Sequence, residues 1–518
     1  MDARLILRIN NLVFILCIAI SCGPSKINRN VYEVSSRSSI SKEAKVVKVH
    51  MNNGDLIILS KWSFDNNNHV LHGTGSHYDA SRNELSVDKD YSIELEEIAL
   101  FETNSIDNDG GQTGQTITMA GFSLLNFLVT VPCMADPKAC FGSCPTYYAY
   151  NGKEMSLQGE GFSSSMAKTY ESQDLDMLFD VVNDSDTFML EIRNEALETH
   201  MIRYCDLIVL PRYPTERIYA SQNGTFYASS RTVEPEKCSA AEGDILQKII
   251  EYDEIERYSA ADSTNLISKE SVEITFPNDK KKYGLVITSR QTLMTTFLFY
   301  QTMAYFGSTL PYWTSKLESG NEGIKNRGLK MYGKLGGIEV LIKKGNKWKK
   351  IGEIDEMGPI ASDFHLIELP EMSAEKLDIR LRMTKGLWRI DYISLVELGS
   401  KVEPIRIQPF QVQNKNTEPT NYATILNDSS KYLVTLPGER YMAYYMLPEE
   451  ELQFEYYLLS KGYYLEWMRE EWLEEENRQM ISTLFLRPNK YLKEMAPKFK
   501  KVEPFIDNIF WNTKIQTH

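Results

Sequence analysis

Residues 377–383 read Leu-Asp-Ile-Arg-Leu-Arg-Met, with apolar and polar side chains alternating at every position. Successive side chains of a β-strand point to opposite faces, so this period of two predicts a strand with one buried face. Ile338–Ile342 and Trp388–Val396 show similar patterns on either side of it. These segments predict a β-sandwich-like module. For the whole chain we expect an α+β fold that is predominantly β, with a mainly helical C-terminal region.

Asn-Gly pairs predict further antiparallel strands toward the N-terminus. Asn53-Gly54 separates two strand-like runs, and Asn223-Gly224 lies within a hairpin predicted over Tyr219–Tyr227. Asn-Gly favours the tight turn that joins antiparallel strands. Turn signals and composition then divide the chain. The predicted divisions are a signal peptide at 1–22, a flexible tether at 23–45, a small all-β domain at 46–104, a mixed β-rich domain at 116–270, a β-sandwich-like domain at 271–400, and a linker with a helical region at 401–518.

Helices are predicted where apolar residues lack Gly, Pro and strict alternation. Gln291–Phe306 is long and apolar, which indicates a helix across the sheet. Pro448, followed by three glutamates, predicts a helix start, and Gly462 its end. Other predicted helices are Asp176–Val182, Leu246–Ile250, one that begins in Tyr463–Ile481, Lys490–Lys500 and Phe505–Trp511.

Charge and length exclude some classes of protein. The 518 residues are too many for one core, and they carry 57 Lys and Arg against 71 Asp and Glu, a net charge of −14. Such an acidic chain opposes non-specific nucleic-acid binding, which requires Lys and Arg to neutralise phosphates. After residue 22 no apolar run approaches the roughly 20 residues of a membrane span. We therefore expect no nucleic-acid partner and no further membrane segment.

The first residues have the pattern of a lipoprotein signal. Arg4 and Arg8 precede an apolar stretch that ends in Ala-Ile-Ser before Cys22. A basic start, a short apolar segment and small residues before a break are typical of a secretory signal, and the break at Cys22 resembles a bacterial lipobox. The resemblance implies cleavage after Ser21 and lipidation of Cys22 with acyl chains such as palmitate, which would anchor the protein in a membrane. A single transmembrane helix is the alternative.

Five further cysteines suggest an oxidising compartment. Cys140 and Cys144 enclose Phe-Gly-Ser, a spacing within disulfide reach if Gly142 turns the chain, so a disulfide between them is the first expectation. A redox-active pair is less favoured, since that motif has two intervening residues. A zinc site lacks a matching second cluster. An odd number of cysteines leaves at least one unpaired or bonded between chains.

Few residues could carry acid–base chemistry. Glu195 and Glu198 lie close to His200 in the sequence and are weak catalytic candidates. The segment Gly159–Ser165 lacks the Gly-x-Ser-x-Gly spacing of a nucleophile elbow. Three histidines at 69, 72 and 77 could bind a metal, but on a strand residues three apart point to opposite faces, so a solvated hairpin is favoured and no metal or cofactor is expected.

Three motifs support a family resemblance: Cys-Phe-Gly-Ser-Cys-Pro at 140–145, Asn194–His200, and Gly462–Trp472, which reads Gly-Tyr-Tyr-Leu-Glu-Trp-Met-Arg-Glu-Glu-Trp. Together they resemble an uncharacterised family of bacterial envelope lipoproteins over most of residues 46–514. The resemblance implies a shared architecture and no particular activity. Trp388–Leu395 also resembles the closing strand of galactose-binding-like jelly rolls, which frequently bind sugars through exposed aromatics.

The sequence predicts an outer-membrane lipoprotein of a Gram-negative bacterium that acts as a non-enzymatic binding or scaffolding module. Gly23, rather than Asp, after Cys22 resembles lipoproteins that reach the outer membrane, and the periplasmic side is slightly favoured. One alternative is a glycan-active or thiol-active envelope enzyme. Another is a subunit of an outer-membrane complex, with Tyr463, Trp467 and Trp472 as interface anchors. The expected partner is an envelope protein or a glycan.

Overall fold

The computed structural model describes most of the chain. The described residues are 26–32, 34–40, 46–51, 55–65, 68–78, 84–107, 144–196, 198–310, 313, 333–355, 358–415, 420–449, 453–466 and 475–513. Strands dominate, and several antiparallel sheets are accompanied by a few C-terminal helices, which confirms the predicted fold class. No helix among these residues has the length and apolar character needed to cross a membrane.

The chain divides into two compact units. Unit 1 comprises Met1–Phe127 with Ser308–Pro311, and unit 2 comprises Leu128–Gly307 with Tyr312–His518. Unit 2 therefore contains the predicted division at 401–518 in full, the one at 271–400 except for Ser308–Pro311, and most of the one at 116–270.

The described strands of unit 1 form one antiparallel sheet with the order β1-β6-β2-β3-β4-β5. Its core includes Val47, Val49, Leu59 and Phe101, and the less buried Lys48 separates the first two, as a one-sided sheet requires. Its first strand pairs with its last, although the sequence predicts a tether at 23–45. The strands are β1 Lys26–Tyr32, β2 Val47–Met51, β3 Leu56–Asp65, β4 Val70–Tyr78, β5 Glu84–Glu94 and β6 Ile98–Asp107.

Unit 2 contains the remaining described strands. They are β7 Thr146–Tyr150, β8 Met155–Glu160, β9 Ser172–Met177, β10 Thr187–Arg193, β11 Glu198–Arg212, β12 Arg217–Ala220, β13 Phe226–Ser229, β14 Thr232–Val233, β15 Lys237–Ala240, β16 Gly243–Asp244, β17 Lys269–Pro277, β18 Tyr283–Gln291, β19 Ile338–Lys344, β20 Lys347–Ile354, β21 Asp363–Glu368, β22 Lys376–Thr384, β23 Trp388–Glu397, β24 Lys401–Val402, β25 Ile405–Ile407, β26 Gln411–Asn414, β27 Leu433–Thr435, β28 Arg440–Met446 and β29 Gln453–Glu466.

The sheet of unit 1 is sheet 1, and the strands of unit 2 form the sheets numbered from 2 onward. Sheet 2 has the order β26-β28-β10-β7-β8, sheet 3 β25-β11-β29-β9, sheet 4 β12-β13-β24, sheet 5 β14-β23-β18-β21 and sheet 6 β16-β15-β17-β22-β19-β20. Sheets 2 and 3 enclose one core, to which β10 and β28 contribute alternate side chains. A second core lies between sheets 3, 4 and 5.

The alternating segment Leu377–Met383 forms β22, as predicted. Leu377, Ile379 and Leu381 are buried, whereas Asp378 and Arg380 are more accessible on the other face. The strand pairs with β17 and β19 in the middle of sheet 6. The hairpin predicted around Asn223-Gly224 is also confirmed, because β12 pairs with β13 and Gly224 adopts a φ of 79° at the turn.

The helix predicted between Pro448 and Gly462 is wrong, since Gln453–Glu466 is the strand β29. It pairs with β11 along most of its length. Tyr456 and Leu458 face the core of sheets 2 and 3, and Tyr457 and Leu459 face the other core. A strand that is buried on both faces has no polar alternation, so it lacks the period-two signal.

Three of the six other helix predictions are confirmed. The helix predicted over Tyr463–Ile481 is wrong at its start, because Tyr463–Glu466 belongs to β29 and the described helix begins at Arg478. Ser172–Met177 is a strand where a helix was expected from Asp176, and Leu246–Lys248 is only a 3-10 turn. The predicted helices at 291–306, 490–500 and 505–511 are present. The α-helices whose bounds lie within the described residues are α1 Met294–Phe306, α2 Ala423–Leu426, α3 Arg478–Leu486, α4 Pro488–Val502 and α5 Ile506–Thr513.

Candidate functional site

The segment Gly159–Ser165 lies at the centre of a buried polar region. It leaves the end of β8 and enters a turn, in which the amide of Ser165 donates to the carbonyl of Phe162. Phe162 has a φ of 38°, a left-handed conformation that is uncommon for a bulky residue. Strained backbone of this kind is found disproportionately at functional sites, so the segment is a candidate site.

Two glycines allow this segment to approach its neighbours closely. A Cβ at Gly159 would lie 3.1 Å from the carboxylate of Asp176. A Cβ at Gly161 would lie 2.8 Å from the ring and hydroxyl of Tyr147, and 3.2 Å from the hydroxyl of Ser460. The glycines therefore bring the backbone of this segment against buried polar groups of sheets 2 and 3.

Four carboxyl groups meet beside this segment, and we call them the acid junction: Glu160, Asp174, Asp176 and Asp363. The amide of Ile360 donates to Oε2 of Glu160 over 2.7 Å, and the amide of Phe162 donates to Oδ2 of Asp174 over 3.2 Å. Asp176 is 1% exposed. The sequence does not suggest this cluster, because its members come from three separate strands.

Burial dominates the protonation of these acids. It raises the pKa of Asp176 well above its ordinary value, and negative charge on Asp174 and Asp363 raises it further. Burial likewise raises the pKa of Asp363, to about 8, with negative charge on Asp174 adding to it. The pKa of Asp174 is raised by burial, and two backbone amides that donate to it oppose the rise.

The predicted candidates Glu198 and His200 come together in the interior. Nε2 of His200 lies 3.2 Å from Oε2 of Glu198, and both residues are buried. Glu198 pairs in register with Glu466 of β29, and His200 with Tyr464. The hydroxyl of Tyr464 donates in turn to the carbonyl of Ser163. These groups are therefore held by the fold rather than presented to solvent.

Glu195 occupies a different environment, beside sheet 2. Its Oε2 accepts hydrogen bonds from Thr146 and from the hydroxyl of Tyr148, each over 2.9 Å. Arg193 lies over the ring of Tyr148, 3.8 Å from its centroid. Glycosidic chemistry requires two carboxylates that face a common substrate. Glu195 instead bonds to Thr146 and Tyr148 beside sheet 2, whereas Glu198 contacts His200.

The described cysteines are buried thiols. Burial raises the pKa of Cys144 well above its ordinary value, and nearby negative charge on Glu160 and Glu198 adds to the rise. Burial raises the pKa of Cys238 to about 12. The thiolate is the reactive form, so these thiols are poor nucleophiles. Cys22 and Cys140 lie outside the described residues, and the Cys140–Cys144 disulfide stays a prediction.

The proposed interface anchors are only partly described. Tyr463 is 1% exposed and packs edge-on against Tyr432, so its ring belongs to the interior of unit 2. Trp467 and Trp472 lie outside the described residues.

The outer face of sheet 2 carries several exposed apolar side chains. Met189 and Met446 are 44% and 52% exposed. Met189 pairs in register with Tyr444, whose ring contacts Phe410. Tyr150 is also exposed; it follows Ala149, the partner of Leu190, and therefore lies beside Met189. We call these five side chains the Tyr–Met face.

A charged cluster adjoins the Tyr–Met face on the same sheet. Glu191 accepts hydrogen bonds of 2.7 Å from Arg193 and from Arg440, and Lys415 lies 3.4 Å away. These cations lower the pKa of Glu191 although burial opposes them. The alternation of Phe188–Ile192, which the sequence shows, could have identified Met189 and Glu191 as residues of an outward face.

A cleft of about 400 Å³ opens in the chain after β7. Its lining includes Asn151, Lys153 and Val182, and the amide of Val182 donates to the carbonyl of Tyr150. The cleft is therefore next to the Tyr–Met face.

The three histidines weighed as a metal site, His69, His72 and His77, lie on one hairpin of unit 1. His69 occupies the turn before β4 with a φ of 55°. His72 and His77 on β4 hydrogen-bond to Ser92 and Asp55, each over 2.9 Å. Within the described ranges, no three His, Cys, Asp or Glu side chains are arranged to hold a metal ion.

Comparison with known proteins identifies no family. No family model matches the chain, and no curated protein matches it. Solved structures with a partial likeness include BuGH86 in complex with neoagarooctaose, at 11% identity over 43% of this chain and 33% of that one, with a TM-score of 0.15. The cycloalternan-forming enzyme from Listeria monocytogenes is 9% identical over 69% of this chain and 29% of that one, with a TM-score of 0.15. The GH31 α-xylosidase from Xanthomonas citri is 8% identical over 84% and 38%, with a TM-score of 0.14. The chain spans about a third of the length of these proteins, and TM-scores this low carry no argument about its fold or activity.

Proposed function

We propose that this chain is a lipid-anchored lipoprotein of the bacterial outer membrane that acts as a non-enzymatic binding or scaffolding module. It belongs, on this proposal, to the envelope lipoproteins that its motifs resemble. The Tyr–Met face is its binding surface, and an envelope protein is its partner.

The composition of that face supports a protein partner. Tyr, Met and Arg are enriched in the centres of protein–protein interfaces. The Tyr–Met face supplies accessible Met189, Met446 and Tyr150, and Arg193 and Arg440 stand beside it in the charged cluster. An exposed group of large apolar side chains bordered by charges is typical of an interaction site.

Two observations weigh against the enzymatic alternatives. The described thiols are buried, and the raised pKa of Cys144 keeps it protonated, which disfavours a thiol-active site. Glu198 is held by His200 in the interior, whereas Glu195 is held beside sheet 2 by Thr146 and Tyr148. A glycosidase requires its two carboxylates to share one cleft.

Site-specific photocrosslinking in cells tests the binding surface. A photoreactive amino acid at Met189 or Met446 should capture the same envelope protein, whereas the same group at Tyr213, exposed elsewhere, should not. Tyr444→Asp should abolish capture at Met189. Capture of that protein equally from Tyr213 would reject the Tyr–Met face. Crosslinks to glycan alone would replace the protein partner with a carbohydrate one.

The anchor is tested separately. Labelled palmitate should enter the parent protein and not Cys22→Ser, and the variant should leave the membrane fraction. Equal fractionation of the two proteins, with no label in either, would contradict lipidation.

A further inference from the structure

The hairpin of β19 and β20 concentrates positive charge in a chain whose net charge is −14. Residues 343–350 read Lys-Lys-Gly-Asn-Lys-Trp-Lys-Lys, and we call them the lysine hairpin. Lys344 and Lys347 are cross-strand partners on either side of the turn Gly345-Asn346. An added Cβ at Gly345 would have no neighbour within 4 Å, so the turn lies in open space.

One face of the lysine hairpin is neutralised by acids. Lys343 lies 3.3 Å from Asp378, and Lys350 pairs with acids of the same sheet. Trp348 is the cross-strand partner of Lys343, and the guanidinium of Arg380 lies over its ring, 4.2 Å from the centroid. These side chains therefore belong to the accessible face of sheet 6 that carries Asp378 and Arg380.

The opposite face carries three lysines without a counter-ion. Lys344, Lys347 and Lys349 alternate with the paired side chains, so they share this face. All three are exposed, and no carboxylate within the described ranges forms an ion pair with any of them. Ile342, two residues before Lys344, is fully buried, so the lysines begin where the buried part of this face ends.

The arrangement of these lysines opposes pairing of the two strands. Lys344 and Lys347 lie directly opposite each other, and like charges in that position are destabilising in a sheet. A negatively charged surface against this face would relieve the repulsion, because each ammonium group would gain a counter-charge. Lysine binds phosphate as a flexible point charge, so three lysines on one face fit a surface that presents many phosphates.

We propose that Lys344, Lys347 and Lys349 dock unit 2 onto anionic phospholipid headgroups of the membrane. This inference rests on the proposed lipid anchor, which would hold the lysine hairpin near that surface at a high effective concentration. An anionic surface repels the rest of the acidic chain, so contact requires a local basic face. An acidic glycan fits less well, because the ring of Trp348 already engages two cations and is not left for a sugar.

Fluorescence quenching on the full-length protein tests the proposal. A fluorescent amino acid replaces the exposed Asn346, and the protein is added to phosphatidylcholine vesicles with or without phosphatidylglycerol, all carrying a quencher on their headgroups. Quenching should be strong only with phosphatidylglycerol. It should be lost in about 1 M salt, where the screening length is about 3 Å.

Glutamine substitutions measure the contribution of the three lysines. Lys344→Gln, Lys347→Gln and Lys349→Gln should each lower the ratio of docked to undocked protein about fivefold, which corresponds to about 1 kcal/mol per lysine. The triple variant should lower it by up to about a hundredfold. The matched control replaces three exposed lysines elsewhere in unit 2 by glutamine and should leave quenching unchanged; these are Lys153, Lys237 and Lys248.

Three results would overturn the proposal. The first is equal quenching in the two kinds of vesicle, and the second is equal quenching of the parent and the triple variant. Protection of the edge strand β20 against pairing with other chains would then account for the lysines. The third is a probe that responds to dissolved polygalacturonate and not to phosphatidylglycerol, which would replace the lipid with an acidic glycan. If the triple variant does not fold, the lipid and salt dependence of the parent decides the question.

Flotation with phosphatidylcholine vesicles separates this proposal from that of the anchor. A parent protein that does not float lacks its acyl chains, and the proposed anchor fails. A parent protein that floats but shows no quenching with phosphatidylglycerol keeps its anchor and lacks only the contact of the lysine hairpin.

Discussion

Glu191 and Asp176 are both buried carboxyl groups, yet their surroundings shift their pKa values in opposite directions. Glu191 lies on sheet 2 among Arg193, Arg440 and Lys415, and its pKa is lowered. Asp176 lies among other acids, and its pKa is raised. Burial disfavours the charged form in both places, so the neighbouring charges decide the sign. The charged cluster is therefore stabilised by ionisation, whereas the acid junction is stabilised by protonation.

Of the substitutions predicted below, Glu191→Leu should lower the free energy of unfolding the most. It leaves Arg193 and Arg440 without their shared counter-ion, and breaking a buried pair in this way costs about 3 kcal/mol of unfolding free energy. Chemical denaturation at neutral pH measures it. The matched control is Glu273→Leu, which removes the exposed partner of Arg380 and should cost less than about 1 kcal/mol. Equal losses in the two variants would contradict the central role of Glu191.

Gly161→Ala tests how tightly the junction is packed. The new Cβ would lie 2.8 Å from the ring of Tyr147, so neighbouring groups must move, at a cost of about 2 kcal/mol. Thermal unfolding compares it with Gly345→Ala. That glycine has no neighbour within 4 Å of an added Cβ, and its φ of 61° isolates the backbone penalty. A smaller loss at Gly161 than at Gly345 would show that the junction has room to relax.

Asp363→Asn should stabilise the protein at alkaline pH and change it little in mild acid. Asn keeps the shape and hydrogen bonding of a protonated acid but cannot ionise, so the gain above about pH 8 should be about 1 kcal/mol. The sign follows from linkage. The pKa of Asp363 is raised to about 8, so the folded state binds more protons than the unfolded state, and the parent loses stability as the pH rises toward that value. A parent protein that is equally stable at pH 5.5 and 8.5 would disagree with this account.

Glu191→Gln should show the opposite and smallest pH dependence. The pKa of Glu191 is lowered, so its ionic contribution is present above the ordinary carboxyl range and is lost as the pH falls through the folded value. The difference between parent and variant should be constant above about pH 5 and should decrease below it by roughly 1 kcal/mol. Urea titrations at several acidic pH values measure this difference. If the stability difference between parent and variant instead increased as the pH fell, the pKa of Glu191 would be raised rather than lowered.

Local patterns in the sequence were sufficient for elements that have one buried face. The alternation of Leu377–Met383 predicted β22, and Asn223-Gly224 predicted the hairpin of β12 and β13. Both succeeded because side-chain period and turn conformation are properties of neighbouring residues. The helix Met294–Phe306 followed from the unbroken apolar run over Gln291–Phe306. The candidate pair of Glu198 and His200 was also visible locally, although the sequence did not predict its burial.

The sequence by itself determined the predominance of strands, the acidic net charge and the lipobox-like start. Only the tertiary structure decided that Gln453–Glu466 is a strand buried between two cores, and that Asp176 meets Asp363. An apolar run is compatible with a helix or with a doubly buried strand, and the choice depends on the surfaces that cover it. The protonation of a buried acid likewise depends on charges that distant strands bring beside it, and that proximity is not encoded in any local pattern.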